Sequence, residues 1–277
     1  MKKSVIFGAG GTGRRIYNMI ERDYDVICFV DSDKTKWGKS INNRQIDSPK
    51  ILEKLEFDTI FIGSLMGIDE IFILLKELGI PESKINKEYV FLSTKSREIF
   101  VENLRRVIER KNLQGAVAEA GVYRGEFAKI INRVFPERKC YLFDTFEGFD
   151  ERDFSFEEQK SLVDAEHLRE TSEQIVLNKM TTPENCIIRK GYFPETAKGL
   201  EEKFVFVNLD MDLYKPIYDG LMYFYPRMVE GGIILIHDYF SEVYPNVEQA
   251  VDDYEKTIGK ELKRMPIGDD ISLAIIK

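Results

Sequence analysis

Two glycine-rich turns carry the residue types that hold nucleotides. The first, Gly8-Ala9-Gly10-Gly11-Thr12-Gly13, has the spacing G-x-G-x-x-G between a predicted strand and a predicted helix, and Asp31 follows the next strand. Glycines let backbone N–H groups approach a pyrophosphate at a helix N-terminus, and the acid can take a ribose hydroxyl. The turn predicts a nucleotide site at Gly8, Gly10, Gly13 and Asp31, or a nucleotide-type fold whose site is unused.

The second turn, Glu119-Ala120-Gly121-Val122-Tyr123-Arg124-Gly125, follows a short apolar strand and opens an amphipathic helix. Asp144 ends the next predicted strand, where it could hold a ribose. Taken alone, the pattern fits equally well a tight turn in which Glu119 caps the helix.

Nicotinamide-dependent reductases and epimerases commonly use a proton donor in the pattern Tyr-x-x-x-Lys. None of the 13 tyrosines precedes a lysine at that spacing. Reductase chemistry at the first turn therefore has no visible proton donor.

Periodicity predicts that the elements around these turns form an α/β fold with two Rossmann-like parallel-sheet domains. The second sheet ends in an antiparallel strand pair at 261–265 and 271–276, because the joint between them is short. We predict a small domain at 1–92, a bridging helix within 93–112 and a larger domain at 113–277. The first domain has strands at 4–7, 26–30 and 59–62, helices at 11–20 and 69–78, and a short fourth strand at 89–92.

The amino-acid composition limits the binding partners and the location that can be expected for the protein. The net charge of −8 argues against a nucleic-acid partner, since binding phosphates needs a concentrated positive field. The longest stretch without charged residues, 59–68, is about half the length of a membrane span. Three scattered cysteines show no disulfide or zinc spacing, so a cytoplasmic protein is expected.

Five blocks of the chain together resemble the macrocin O-methyltransferase family. They are 117–125 (VAEAGVYRG), 143–149 (FDTFEGF), 190–196 (KGYFPET), 209–214 (LDMDLY) and 236–239 (IHDY). The resemblance covers 114–277 and implies a class I methyltransferase sheet and a metal-dependent sugar O-methyltransferase that uses S-adenosylmethionine. Residues 1–92 resemble the small nucleotide-binding-type domain found joined to sugar-modifying enzymes, through the glycine turn and 29–38 (FVDSDKTKWG).

The resemblance also implies the residues of the site. Those around the cofactor are Glu119, Gly121, Val122, Tyr123, Gly125, Asp144, Thr145 and Gly191. Asp210, His237 and Asp238 would bind a divalent cation. The family pattern has two adjacent acids where this chain has His237-Asp238, and because imidazole is the softer ligand, manganese is expected beside magnesium.

The resemblance implies His167 as the catalytic base, and Asp210 is the alternative base. His167 ends an irregular, charged insert at 146–168, which is either disordered or a lid over the site. The alternative for His167 is a solvated residue of that lid. Asp212 is expected to cap the helix that follows it.

The sequence therefore predicts a metal-assisted O-methyltransferase with a small-molecule sugar substrate. Two alternatives stay open. One is an NAD(P)-dependent nucleotide-sugar oxidoreductase or epimerase that uses the first glycine turn, and the other is a non-catalytic nucleotide-binding module. A homodimer is a further expectation.

Overall fold

A computed structural model of the chain describes residues 1–65, 67–156, 166–241 and 243–277. The chain divides into two compact units, Met1–Lys95 and Ser96–Lys277. Each unit contains a mainly parallel sheet with helices, so the predicted α/β class is confirmed. No helix within the described ranges has the length and apolar character needed to cross a membrane.

The first unit contains a six-stranded sheet with the order β3-β4-β2-β1-β5-β6. All its strand pairs are parallel except the hairpin of β3 with β4. The strands are β1 (Lys2–Phe7), β2 (Tyr24–Val30), β3 (Ser40–Ile41), β4 (Arg44–Asp47), β5 (Thr59–Ile62) and β6 (Ile85–Asn86), and the helices are α1 (Gly11–Ile20) and α2 (Ile68–Glu77).

The alternation of side chains along β1 explains why helices cover both faces of this sheet. Ile6 packs in a cluster with Ile16 of α1, whereas Val5 and Phe7 pack in a cluster with Leu75 of α2. A central parallel strand is buried on both faces and therefore reads as a continuous apolar run.

The prediction of a strand at 89–92 is wrong. Tyr89–Phe91 is a turn of 3-10 helix that leads into helix α3 (Leu92–Arg110), and the short strand lies earlier, at β6. The side-chain oxygen of Asn86 accepts hydrogen bonds from the backbone N–H groups of Glu88 and Tyr89, which starts the helical turn. The β3–β4 hairpin was not predicted. It turns through Asn42 and Asn43, both with positive φ.

The second unit contains a seven-stranded sheet with the order β12-β13-β11-β10-β7-β8-β9. Strand β13 is antiparallel to both β11 and β12, which confirms the predicted closing pair. The strands are β7 (Ala116–Ala120), β8 (Cys140–Asp144), β9 (Cys186–Lys190), β10 (Phe204–Leu209), β11 (Met228–Ile236), β12 (Lys263–Pro266) and β13 (Leu273–Ile276). The helices are α4 (Glu126–Val134), α5 (Glu173–Leu177), α6 (Tyr214–Phe224) and α7 (Asn246–Ile258).

Two hydrophobic clusters pack against this second sheet. Ile234 and Ile236 of β11 belong to the cluster that contains α6 and α7 residues, and Ile233 and Leu235 belong to the cluster that contains α4. Since β7, β8, β10 and β11 are parallel, their carboxyl ends meet at one edge of the sheet. Ligands of open α/β sheets bind at that edge.

The insert after β8 is described only in part. It contains 3-10 helices at Glu151–Phe156 and Glu166–Arg169. Residues 157–165, on which much of the lid prediction falls, lie outside the described residues.

Candidate active site

The turn after β7 approaches the end of β10 closely enough to require glycine. Gly121 has a φ of +84°, and a Cβ atom there would lie 2.0 Å from the carbonyl oxygen of Asp210. Gly125 has a φ of +79° and directly precedes α4. Both conformations are accessible to glycine at little cost. Gly121 therefore brings the turn against the neighbouring strand end, and Gly125 lets the start of α4 approach Val176.

Asp144 fixes the shape of the same turn. One carboxylate oxygen, Oδ2, accepts hydrogen bonds from the backbone N–H groups of Val122 and Tyr123, each at 2.7 Å. The other, Oδ1, accepts from the N–H group of Phe146 at 2.7 Å. Burial raises the pKa of Asp144, and these three hydrogen bonds oppose that shift.

The remaining residues predicted around the cofactor lie beside Asp144. The N–H group of Gly191 donates to the Asp144 carbonyl at 2.9 Å, and the Thr145 hydroxyl donates to the carbonyl of Gly148 at 2.6 Å. The structure therefore brings Gly121, Val122, Tyr123, Gly125, Asp144, Thr145 and Gly191 to one end of the sheet.

Glu119 does not cap α4. Gly125 occupies the N-cap position, and no side-chain hydrogen bond from the described residues caps the helix. Glu119 is 1% exposed on β7, where its Oε1 accepts from Asn208 Nδ2 at 2.9 Å. Its Oε2 is buried and has no hydrogen-bond partner among the described residues. Burial and the charge of Asp210 raise the pKa of Glu119 well above its usual value.

Asp210, His237 and Asp238 form a compact cluster just beyond the ends of β10 and β11. The Nδ1 atom of His237 lies 2.8 Å from Asp210 Oδ1 and 2.6 Å from Asp238 Oδ2. One ligating atom from each residue lies within 4.8 Å of the others. Two carboxylates and an imidazole are a donor set that suits a divalent cation such as Mn²⁺ or Mg²⁺.

The electrostatics of the cluster favour a positive charge at His237. Burial acts to lower the pKa of His237, but the charges of Asp210 and Asp238 outweigh it and raise the pKa to about 10. Burial acts to raise the pKa of Asp238, yet the charge and hydrogen bond of His237 bring it to about 2. A proton on Nδ1 thus neutralises carboxylates that a bound cation would also neutralise, so cation binding would compete with this proton.

Two further residues of this region were missed or misassigned from the sequence. Asp212 was expected to cap α6, but the N-cap is Leu213 without a side-chain hydrogen bond. Asp212 has a φ of +62° and is hydrogen-bonded to Asp238. Arg97 of α3 places Nη1 3.5 Å from Asp210 Oδ2. No pattern distinguishes Arg97 from the other charged residues of the predicted bridging helix.

His167 lies in the 3-10 helix Glu166–Arg169. Its side chain is outside the described residues, so its assignment as a base stays a prediction.

The first unit has its own glycine turn, arranged in a similar way. A Cβ atom on Gly13 would lie 1.8 Å from the carbonyl oxygen of Gly8, so the turn is closed by direct backbone contact. Asp31 Oδ2 accepts from the N–H group of Ala9 at 2.7 Å and pairs with Lys36 Nζ at 3.1 Å. Gly8, Gly10, Gly13 and Asp31 therefore lie together at the carboxyl ends of β1 and β2.

Comparison with solved structures extends the fold assignment. The fold is similar to that of the O-methyltransferase NovP, with a TM-score of 0.54 and 22% sequence identity over 66% of this chain and 79% of that chain. This likeness agrees with the predicted class I methyltransferase sheet.

The chain aligns with about two thirds of the length of the curated relatives that it matches. The chain is 24% identical over 170 residues to demethyldecarbamoylnovobiocin O-methyltransferase of Streptomyces niveus. The aligned region covers 56% of this chain and 64% of that protein. It is 26% identical over 179 residues to 8-demethyl-8-(2,3-dimethoxy-alpha-L-rhamnosyl)-tetracenomycin-C 4'-O-methyltransferase of Streptomyces olivaceus. Here the aligned region covers 57% of this chain and 66% of that protein.

Family models match both parts of the chain. The model described as C2185-like, N-terminal matches residues 1–86. The model described as Macrocin-O-methyltransferase (TylF) matches residues 93–267, which is more than half of the chain. The resemblance carried by the five sequence blocks is confirmed, and the chain belongs to the macrocin O-methyltransferase family.

Proposed function

We propose that this protein is an S-adenosylmethionine-dependent O-methyltransferase that methylates a hydroxyl of a sugar, free, nucleotide-linked or glycan-linked, with the assistance of magnesium or manganese. The observation that carries the proposal is the contact of Gly121 with the backbone of Asp210. It joins the turn that would hold the cofactor to the cluster that would hold the cation.

The relatives support this reaction class. The Streptomyces niveus and Streptomyces olivaceus proteins are both named as O-methyltransferases, and the name of the second includes a rhamnosyl group. A sugar hydroxyl is therefore the acceptor we propose for this chain.

The fit of the cofactor rests on the turn after β7. Gly121 and Gly125 let the turn pack against Asp210 and Val176, where a Cβ atom would collide, and so set the path of the backbone that would hold the cofactor. The buried Glu119 Oε2 has no hydrogen-bond partner among the described residues and is a polar atom close to that turn. Asp144 would bind the ribose hydroxyls, and Gly191 would lie near the adenine.

Each residue then has a defined task. When bound, S-adenosylmethionine supplies the methyl group and a divalent cation lowers the pKa of the hydroxyl that it contacts. Asp210, His237 and Asp238 would hold the cation and so orient the acceptor. Asp210 or His167 would accept the hydroxyl proton, and a base held close to the reacting oxygen contributes typically about 100- to 10,000-fold in rate.

The test separates cofactor binding from turnover. Asp210→Asn should abolish methyl transfer while calorimetry still detects S-adenosylhomocysteine binding, because Asp210 is assigned to the cation and not to the cofactor. Asp252→Asn is a matched control, since Asp252 of α7 pairs with Arg264 of β12 and belongs neither to the turn after β7 nor to the cation cluster. Full activity after exhaustive chelation would contradict the role of the cation.

A further inference from the structure

Arg97 lies against the candidate cation cluster and faces three groups, although its buried Nε and Nη1 atoms make no hydrogen bond to the described residues. Its Nη1 is 3.5 Å from Asp210 Oδ2, and its Nε is 4.0 Å from Asp269 Oδ2. The guanidinium also lies over the ring of Phe127, 4.5 Å from the centroid. The side chain is only 12% exposed, so its position is set by packing as well as by charge.

Asp269 is itself a rigid partner. Its Oδ1 accepts hydrogen bonds from the N–H groups of Ile271 and Ser272, and its Oδ2 accepts from the Ser272 hydroxyl at 2.6 Å. Asp269 belongs to the turn between β12 and β13 and is almost fully buried. Arg97 is therefore paired with a carboxylate that has little freedom to move.

The two oxygens of Asp210 consequently face different groups. Oδ1 lies 2.8 Å from His237 Nδ1, toward the cluster, whereas Oδ2 lies 3.5 Å from Arg97 Nη1. A guanidinium keeps its charge throughout the pH range of a folded protein. Oδ2 thus has a positive neighbour at every pH at which the protein is folded. The binding of a cation at the cluster would not remove the charge of Arg97.

We propose that Arg97 determines which cation the site selects, by restricting Asp210 to one ligating oxygen. The inference rests on the proposed cation site. Ca²⁺ accepts both oxygens of a carboxylate in large, flexible coordination shells, whereas Mg²⁺ and Mn²⁺ favour compact octahedral ones. With Oδ2 facing Arg97, Asp210 offers Oδ1 alone, which disfavours Ca²⁺.

Other roles for Arg97 predict different results. If Arg97 acted only through its charge, its removal would strengthen the binding of Mn²⁺ and Ca²⁺ equally, because both carry the same charge. If it only supported the fold, its removal would weaken both equally. A change in the ratio of the two affinities is expected only if Arg97 controls how many oxygens Asp210 presents.

The experiment is a calorimetric titration of the metal-free, full-length protein with Mn²⁺ and with Ca²⁺. We expect Arg97→Met to lower the ratio of Mn²⁺ affinity to Ca²⁺ affinity by about tenfold, mainly through tighter Ca²⁺ binding. Arg97→Lys keeps a cation facing Oδ2 and should stay near the unaltered ratio. Arg106→Met, at an exposed position of the same helix, is the matched control and should change nothing.

A second variant guards against loss of folding. Arg97→Gln is neutral and shorter, and it should shift the ratio in the same direction as Arg97→Met. An unchanged ratio in the folded variants would overturn the role of Arg97 and leave the cation site standing. If the unaltered protein binds neither ion, the proposed cation site is overturned together with this inference.

Discussion

Asp210 Oδ1 lies 2.8 Å from His237 Nδ1, although the two residues follow different strands. Strand register produces this contact. The N–H group of Asp210 donates to the Ala120 carbonyl, and the N–H group of His237 donates to the Leu209 carbonyl, so the ladder of β7, β10 and β11 continues to the cluster. The glycine turn and the cluster are therefore fixed by the same backbone hydrogen bonds.

The substitution His237→Asp should move the cation preference toward magnesium. It restores the two adjacent acids of the family pattern and replaces a borderline ligand with a hard one. We expect the ratio of Mg²⁺ affinity to Mn²⁺ affinity to rise about tenfold, as measured by competition calorimetry. An unchanged ratio would show that His237 does not contact the cation.

Gly121→Ala should destabilise the second unit and disrupt the cluster. The added Cβ atom would lie 2.0 Å from the Asp210 carbonyl oxygen, on a backbone with positive φ. We expect a loss of about 2 to 4 kcal/mol in the free energy of unfolding, together with weaker Mn²⁺ binding.

Gly199→Ala provides the control for that experiment. Gly199 has a similar φ of +74°, but a Cβ atom added there would have no atom of the described residues within 4 Å. The substitution should cost only about 1 kcal/mol, which is the conformational part alone. Equal losses in the two variants would contradict the close approach at Gly121.

Glu119→Gln should raise stability at neutral pH but not in acid. Burial raises the pKa of Glu119 in the folded protein, so the unfolded chain loses this proton at a lower pH than the folded one. The free energy of unfolding therefore falls as the pH rises above about 4.3, the pKa of a glutamate side chain in the unfolded chain. Glutamine cannot ionise and so avoids that loss.

Thermal unfolding at about pH 4 and about pH 7.5 measures the effect of Glu119→Gln. The gain in melting temperature over the unaltered protein should be present at the higher pH and absent at the lower one. Glu201→Gln, at an exposed position, should show no such pH dependence. A gain that is the same at both pH values would contradict a protonated Glu119.

The nucleotide site predicted at the first glycine turn can be tested with Gly10→Ala. Within the described part of the chain no atom lies within 4 Å of a Cβ added at Gly10, so alanine should fold with a change of less than about 1 kcal/mol. A phosphate held against the turn would meet that methyl group. Calorimetry with NAD and with nucleoside diphosphates should show binding that the variant weakens, and binding unaffected by the variant would place the nucleotide elsewhere.

The sequence was most informative where local chemistry determines the structure. Glycine spacing and apolar runs located α1 and β5 at the observed residues and predicted the antiparallel end of the second sheet. The apolar run at 89–92 gave a wrong strand prediction because its residues reach the core from a helical turn. Val90 is buried there without strand pairing. Short apolar runs fit either structure.

The positions of Arg97 and Asp212 could not be predicted in this way. Arg97 owes its place to Asp210, Asp269 and Phe127, which come from three separate segments of the chain. Asp212 adopts a positive φ and is hydrogen-bonded to Asp238, which follows a different strand, and no local pattern specifies either feature.

The turn after β7 is proposed to bind S-adenosylmethionine, and a calorimetric titration of the protein with S-adenosylhomocysteine decides whether it does. We expect saturable binding of one molecule per chain that Asp144→Ala weakens at least about tenfold, since Asp144 is assigned to the ribose hydroxyls and orders the turn. Binding of NAD without any binding of S-adenosylhomocysteine or S-adenosylmethionine would contradict it and favour the oxidoreductase.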